Sequence, residues 1–113
     1  MIRGTIGPGR GISGERLARI PDLAEILGYE AISGTLNVRL SVAPRWEGGI
    51  PGGDHTFYPL TVEAHGRKVH GHAVRWKNDQ RKTSIEIVAP VHLRTELRLP
   101  KRGRVVVTFR EGA

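Results

Sequence analysis

The sequence predicts a mainly-β protein: a small six-stranded β-barrel, closed or nearly closed, with one or two short helices. Three observations predict it. Strand-length segments with period-two alternation recur along the chain. Glycine-rich turns separate them, with 15 glycines among 113 residues, about twice the usual ~7% share. Helical periodicity is confined mainly to one early connection. Short strands joined by such turns bury their apolar faces by curling one sheet onto itself, and closure also removes the edges on which sheets aggregate. The length allows one domain, residues 1–113, with one modest core.

Met1 to Ile6 reads as a short first strand, with Ile2 and Ile6 apolar. The stretch Gly7 to Gly14 is too rich in glycine for regular structure. Glu15 to Ile20 is a short helical pattern, with Leu17 and Ile20 on one face. Asp22 to Leu27 is another, with Pro21 at its start and Gly28 after its end. Gly34 to Val42 alternates cleanly: Leu36, Val38, Leu40 and Val42 point one way, and Thr35, Asn37, Arg39 and Ser41 the other. Pro44 to Asp54 reads as loop because its prolines and glycines oppose pairing. Tyr58, Leu60, Val62 and Ala64 alternate again, and His65-Gly66 is a hairpin turn into Val69 to Trp76. After a polar turn, Ser84 to Val88 is a strand. Pro90 opens about one helical turn through Leu93 and Leu97, and Arg104 to Arg110 closes the chain as a strand.

Composition narrows the function. With no cysteine there is no disulfide framework, thiolate metal site or cysteine nucleophile. No apolar run approaches a membrane span, and Met1-Ile2-Arg3-Gly4 lacks the apolar core of a signal peptide, so a cytoplasmic protein without membrane association is expected. The net charge of +7 favours anionic partners, a nucleotide, nucleic acid or a phosphorylated metabolite, or serves solubility alone. Nucleic acid is not the expected partner: aromatic residues make up only 5%, thin for a base-stacking platform, and the basic residues form no compact run longer than Arg67-Lys68 or Lys101-Arg102-Gly103-Arg104.

Four motifs carry possible chemistry. Gly9-Arg10-Gly11-Ile12-Ser13-Gly14 could cup a phosphate with successive N–H groups, Arg10 adding a charged fork, or be a surface turn. The chain is too short and strand-rich for a dinucleotide fold, and no P-loop signature is present. Thr35 and Asn37 share one strand face about 7 Å apart, so their oxygens could converge on Mg²⁺, which prefers hard oxygen ligands and keeps positions for phosphates. The same pattern fits a solvated strand face. His70 and His72 also share a face, but the sequence places no third zinc ligand. Glu86, between the apolar Ile85 and Ile87, could serve as a general base or be an ordinary surface carboxylate. No serine lies in a G-x-S-x-G context.

Gly9-Arg10-Gly11, Leu27-Gly28-Tyr29-Glu30, Gly34-Thr35-Leu36-Asn37-Val38-Arg39-Leu40 and Ile85-Glu86-Ile87-Val88-Ala89-Pro90-Val91-His92-Leu93-Arg94 fit one pattern in order and spacing. Together they resemble the archaeal-type CTP-dependent riboflavin kinase family over nearly the whole chain, most weakly between Val42 and Lys82. The early loop departs from the family's usual G-x-G-E-G-x-[YF]-F, since Gly11 is followed by Ile12-Ser13-Gly14-Glu15.

The resemblance implies a cradle-loop barrel that transfers the γ-phosphate of CTP to the 5′-hydroxyl of riboflavin, giving FMN and CDP. It implies that Gly9, Arg10 and Gly11, with Val91, His92, Leu93 and Arg94, bind the nucleotide. Thr35 and Asn37 would hold Mg²⁺. Glu86 would contact the ribityl end of the flavin as base, with Thr83 a further flavin contact; Trp76 or Tyr58 would stack on its ring. Alternatives are a related kinase of another small alcohol and a non-catalytic barrel that binds nucleotide or nucleic acid.

Overall fold

The computed structural model describes residues 1–8, 13–32 and 35–110. In chain order the elements are β1 (Ile2–Ile6), α1 (Ser13–Ala18), α2 (Leu23–Leu27), β2 (Leu36–Leu40), β3 (Ile50–Gly52), β4 (His55–Ala64), β5 (Arg67–Trp76), β6 (Ser84–Val88), α3 (Leu93–Glu96) and β7 (Arg104–Phe109). The strands run in the order β3-β4-β5-β6-β2-β1-β7, and β4 pairs with β7 as well. That last pairing closes six antiparallel strands into a barrel and leaves β3 as an extra strand on β4. The expected mainly-β barrel is therefore the architecture found.

Period two decides what the barrel encloses. Leu36, Val38 and Leu40 from β2, Leu60 and Val62 from β4, Ile85 and Ile87 from β6, and Val105 and Val107 from β7 form one buried cluster. Leu93 and Leu97 join it, so α3 and the residue after it stopper the end that β6 runs toward. Trp46 packs against Tyr58 and Phe109 at the opposite end, with ring centroids 5.0 Å and 5.8 Å apart.

A second cluster lies on the outer wall. There Leu17 of α1 and Leu27 of α2 cover Phe57, Val74 and Val88. Gly28 ends α2 in the left-handed conformation at φ 85°, with its N–H bonded to the carbonyl of Ala24. The His65-Gly66 turn has φ of 51° and 73°, the two positive values a tight hairpin of this twist requires. The His65 ring donates from Nδ1 to the Leu97 carbonyl at 2.8 Å, which ties the hairpin to the stoppered end.

Two expectations are corrected. The strand expected to reach Val42 ends at Leu40, and Val42 is exposed. On that side β6 runs out: Ser84 faces Arg39, and the Leu40 N–H already bonds to Thr83, which precedes the strand. Within the expected loop 44–54, Ile50–Gly52 forms β3. Pro51 has no N–H to give, but β3 pairs only with β4, and an edge strand tolerates that loss.

Gly71 is the position where the barrel wall most needs a missing side chain. A Cβ there would lie 2.5 Å from the backbone oxygen of Val88 on the adjacent strand. Gly71→Ala is expected to lower stability by about 1–3 kcal/mol through overpacking, read as a shift in denaturant midpoint at unchanged slope.

Candidate functional site

The β2–β6 register builds the centre of the site. Leu36 faces Ile87 and Val38 faces Ile85, both pairs turned into the core. Asn37 and Glu86 face each other between them and point out from the wall. Directly opposed residues have Cβ atoms about 4.5–5.5 Å apart, so an amide oxygen and a carboxylate share one small space. Thr35, two residues before Asn37, lines a neighbouring cavity of about 80 Å³. Its other walls include Ala89, Val91, His92, Leu93 and Arg94. His92 precedes α3 in extended conformation, and its Nδ1 lies 2.9 Å from Thr95 Oγ1. Thr35 thus shares a cavity with the segment 91–94, and Leu36 and Ile87, which also line it, are the chain neighbours of Asn37 and Glu86.

Beside Asn37 runs a groove of about 420 Å³, lined by Gly7, Pro8, Arg39, Arg81, Ser84 and Arg102 among others. The Gly7 N–H bonds to the Asn37 carbonyl at 2.9 Å, so the glycine-rich stretch leaves the barrel at this residue. Gly9, Arg10 and Gly11 lie outside the described residues. Arg81 is held in place by Asp79, which accepts from Nε at 3.0 Å, from Nη2 at 2.8 Å and from the Arg81 backbone N–H at 2.9 Å. These hydrogen bonds hold the Asp79 carboxyl below its ordinary pKa and raise that of the Arg81 guanidinium.

On the far side of Glu86, a cavity of about 400 Å³ is lined by Arg16, Arg19, Asp54, His55 and Trp76. Arg16 stands 5.6 Å over the Trp76 ring. Burial and Arg16 lower the His55 pKa, opposed by the charges of Asp54 and Glu86. Glu86 also adds to the upward shift of Arg81. Pro8 lines the first of these cavities and Arg16 of α1 the second.

Other candidates separate. Thr83 precedes β6, its carbonyl accepting from Leu40 N–H at 2.7 Å. By register it belongs with the inward series of Ile85 and Ile87, so it does not share the face of Glu86. Trp76 is partly exposed in a cavity wall, whereas Tyr58 packs against Trp46 inside the barrel end. Sequence reasoning missed Arg81 and Arg102, which no local pattern connects to Asn37. Arg39 was legible, since it alternates onto the face of Asn37.

His72 has a structural task. Its Nδ1 lies 2.8 Å from the Tyr29 hydroxyl, which donates to the Val88 carbonyl at 3.1 Å. The hydroxyl has one proton, so both contacts are satisfied when His72 donates from Nδ1. This pair, with the Ile32 N–H bonded to the Ala89 carbonyl, ties the segment after α2 to the wall beside the Thr35 cavity.

Burial and the charge of Arg110 lower the His72 pKa from its ordinary 6.5. The unfolded chain then takes up a proton before the folded one. Stability is full above about pH 6.5 and falls as the pH drops below it. Replacing His72 by Asn is expected to flatten this fall by up to ~1.4 kcal/mol per pH unit, measured by denaturant unfolding between about pH 5 and 7.

Among the described residues no group of three or more His, Cys, Asp or Glu could hold a metal. The donors at the site are of another kind: the Thr35 hydroxyl, the Asn37 amide oxygen and the facing Glu86 carboxylate. Hard oxygens of this type fit Mg²⁺, which fills its remaining positions with water and substrate phosphates. Among the described residues no helix is long and apolar enough to cross a membrane. No family model matches the chain, and no curated protein matches it.

Proposed function

We propose that the protein is a Mg²⁺-dependent kinase that transfers the γ-phosphate of CTP to the 5′-hydroxyl of riboflavin, giving FMN and CDP. The register that sets Asn37 against Glu86, beside the cavity shared by Thr35 and residues 91–94, carries this reading. The motif resemblance supplies the identity of the two substrates.

Phosphoryl transfer needs positioning and charge stabilisation more than covalent chemistry. Thr35 and Asn37 would hold Mg²⁺, and the ion would supply charge neutralisation for the phosphates. Arg39, Arg81 and Arg102 line the groove where the triphosphate would lie. Arg81, fixed by Asp79, supplies a guanidinium that needs no reorganisation when negative charge develops. Glu86 orients the attacking hydroxyl and accepts its proton as the new P–O bond forms and CDP departs. Trp76 offers an aromatic face for a flat acceptor, and the 91–94 segment provides the cavity for the base of the nucleotide.

Purified protein incubated with Mg²⁺, CTP and riboflavin is expected to form FMN and CDP in equal amounts, separated by chromatography, and none once EDTA removes the metal. Absence of FMN and of nucleoside diphosphate with every common triphosphate would overturn the proposal. Turnover with a different alcohol alone would keep the kinase and replace its acceptor.

A further inference from the structure

The barrel wall opposite α1 and α2 carries a feature that extends beyond the residues the kinase reading uses and shares only Arg39 with them. On the outer face of β1, Thr5 faces Arg39 of β2 on one side and Arg104 of β7 on the other. Two inter-strand steps separate these arginines, about 10 Å at the backbone. Arg3 lies two residues before Thr5 on the same face, roughly 7 Å along the strand. The three arginines line one recess of about 580 Å³ that also includes Ser41 and Glu63. This recess continues into the groove bearing Arg81 and Arg102, the two sharing Thr5 and Arg39.

Among the described residues the ion pairs are Arg67–Glu96, Lys77–Asp54 and Arg81–Asp79, so Arg3, Arg39, Arg102 and Arg104 enter none of them. All four are exposed. Glu63 offsets part of this positive charge, and the remaining excess favours an anion in the recess.

We infer that this arginine-lined wall is a docking track for the phosphodiester backbone of a nucleic acid duplex. Guanidinium forks match phosphate oxygens. The recess is concave, so it receives a ridge of phosphates better than a flat layer of lipid headgroups. No aromatic residue lines it, so it has no platform for unstacked bases and reads backbone rather than sequence. No basic run announces the track because its three members come from the two ends and the middle of the chain and meet only through β-pairing.

Fluorescence anisotropy with short mixed-sequence RNA and DNA duplexes, titrated with salt between about 50 and 300 mM, tests this. Three neutralised phosphates give a slope of log affinity against log salt of about −2.7 on B-DNA. The Arg3→Gln/Arg104→Gln double variant is expected to bring that slope to about −1 and to weaken low-salt binding at least tenfold. The Arg67→Gln/Lys68→Gln variant, at the β4–β5 hairpin, is expected to leave both unchanged. Tighter binding of one duplex type identifies the source of the backbone. No binding at about 50 mM salt would overturn the inference, as would an unaltered slope in the Arg3/Arg104 variant. So would preferential capture by phosphatidylglycerol vesicles or polyglutamate.

Discussion

Glu86→Gln is expected to lower the rate of phosphoryl transfer by about 10²–10⁴-fold, the usual contribution of a positioned general base. The substitution keeps the size of the side chain and its place opposite Asn37 on the neighbouring strand. It removes the proton acceptor and the negative charge. Single-turnover measurement of FMN formation isolates the chemical step, and nucleotide binding followed separately is expected to change little. An unchanged thermal midpoint would show that the barrel is intact. A rate within threefold of the parent would remove Glu86 from the role of base. A parallel loss of CTP affinity would instead assign the carboxylate to the metal and phosphates.

The largest effect on stability is expected from Phe57→Ala. Phe57 is fully buried, yet it lies on the outer wall of the barrel rather than inside it. Its ring fills the space between Val74 and Val88 on the sheet and Leu17 and Leu27 on the helices. It also packs so closely on β3 that a Cβ at Gly52 would come within 2.8 Å of it. Truncation leaves a cavity bounded by strands on one side and by two helices too short to hold themselves on the other. The expected cost is about 3–5 kcal/mol, a large part of the ~5–15 kcal/mol that holds a domain together. Urea unfolding measures it. Hydrogen exchange is expected to show the amides of α2 losing protection before those of β2 and β6. A loss under about 1 kcal/mol would mean that the helices are not held by this ring.

The alternation Leu36, Val38, Leu40 was enough to place Asn37 and Arg39 on one face, because side-chain direction in a strand depends only on position along it, whereas Thr35 lies before the strand begins. The bounds of Ser84–Val88 followed from the same rule, and the His65-Gly66 turn from its composition. β3 was not legible, since its Pro51 and Gly52 carry the signature of a loop and its pairing is supplied by β4. Nor was the end of β2 at Leu40, which is set by where the partner strand runs out.

For the site, the chemistry of Thr35, Asn37 and Glu86 was visible as residue types, but not that Asn37 and Glu86 oppose each other. Thr83 looked close to Glu86 in sequence, yet register turns it toward the series of the core. Trp76 and Tyr58 were equivalent as aromatic residues until packing against Trp46 set Tyr58 aside.

The sequence by itself determined the fold class, most strand positions and which residues of each strand share a face. These depend on local periodicity and turn chemistry, carried within a few consecutive residues. Tertiary structure alone decided which strands are neighbours and in what register. It thereby set Asn37 opposite Glu86 and gathered Arg3, Arg39 and Arg104 into one recess. Register is a property of two segments at once, chosen when closure of the barrel buries all the apolar faces together, and no single stretch of chain contains that choice.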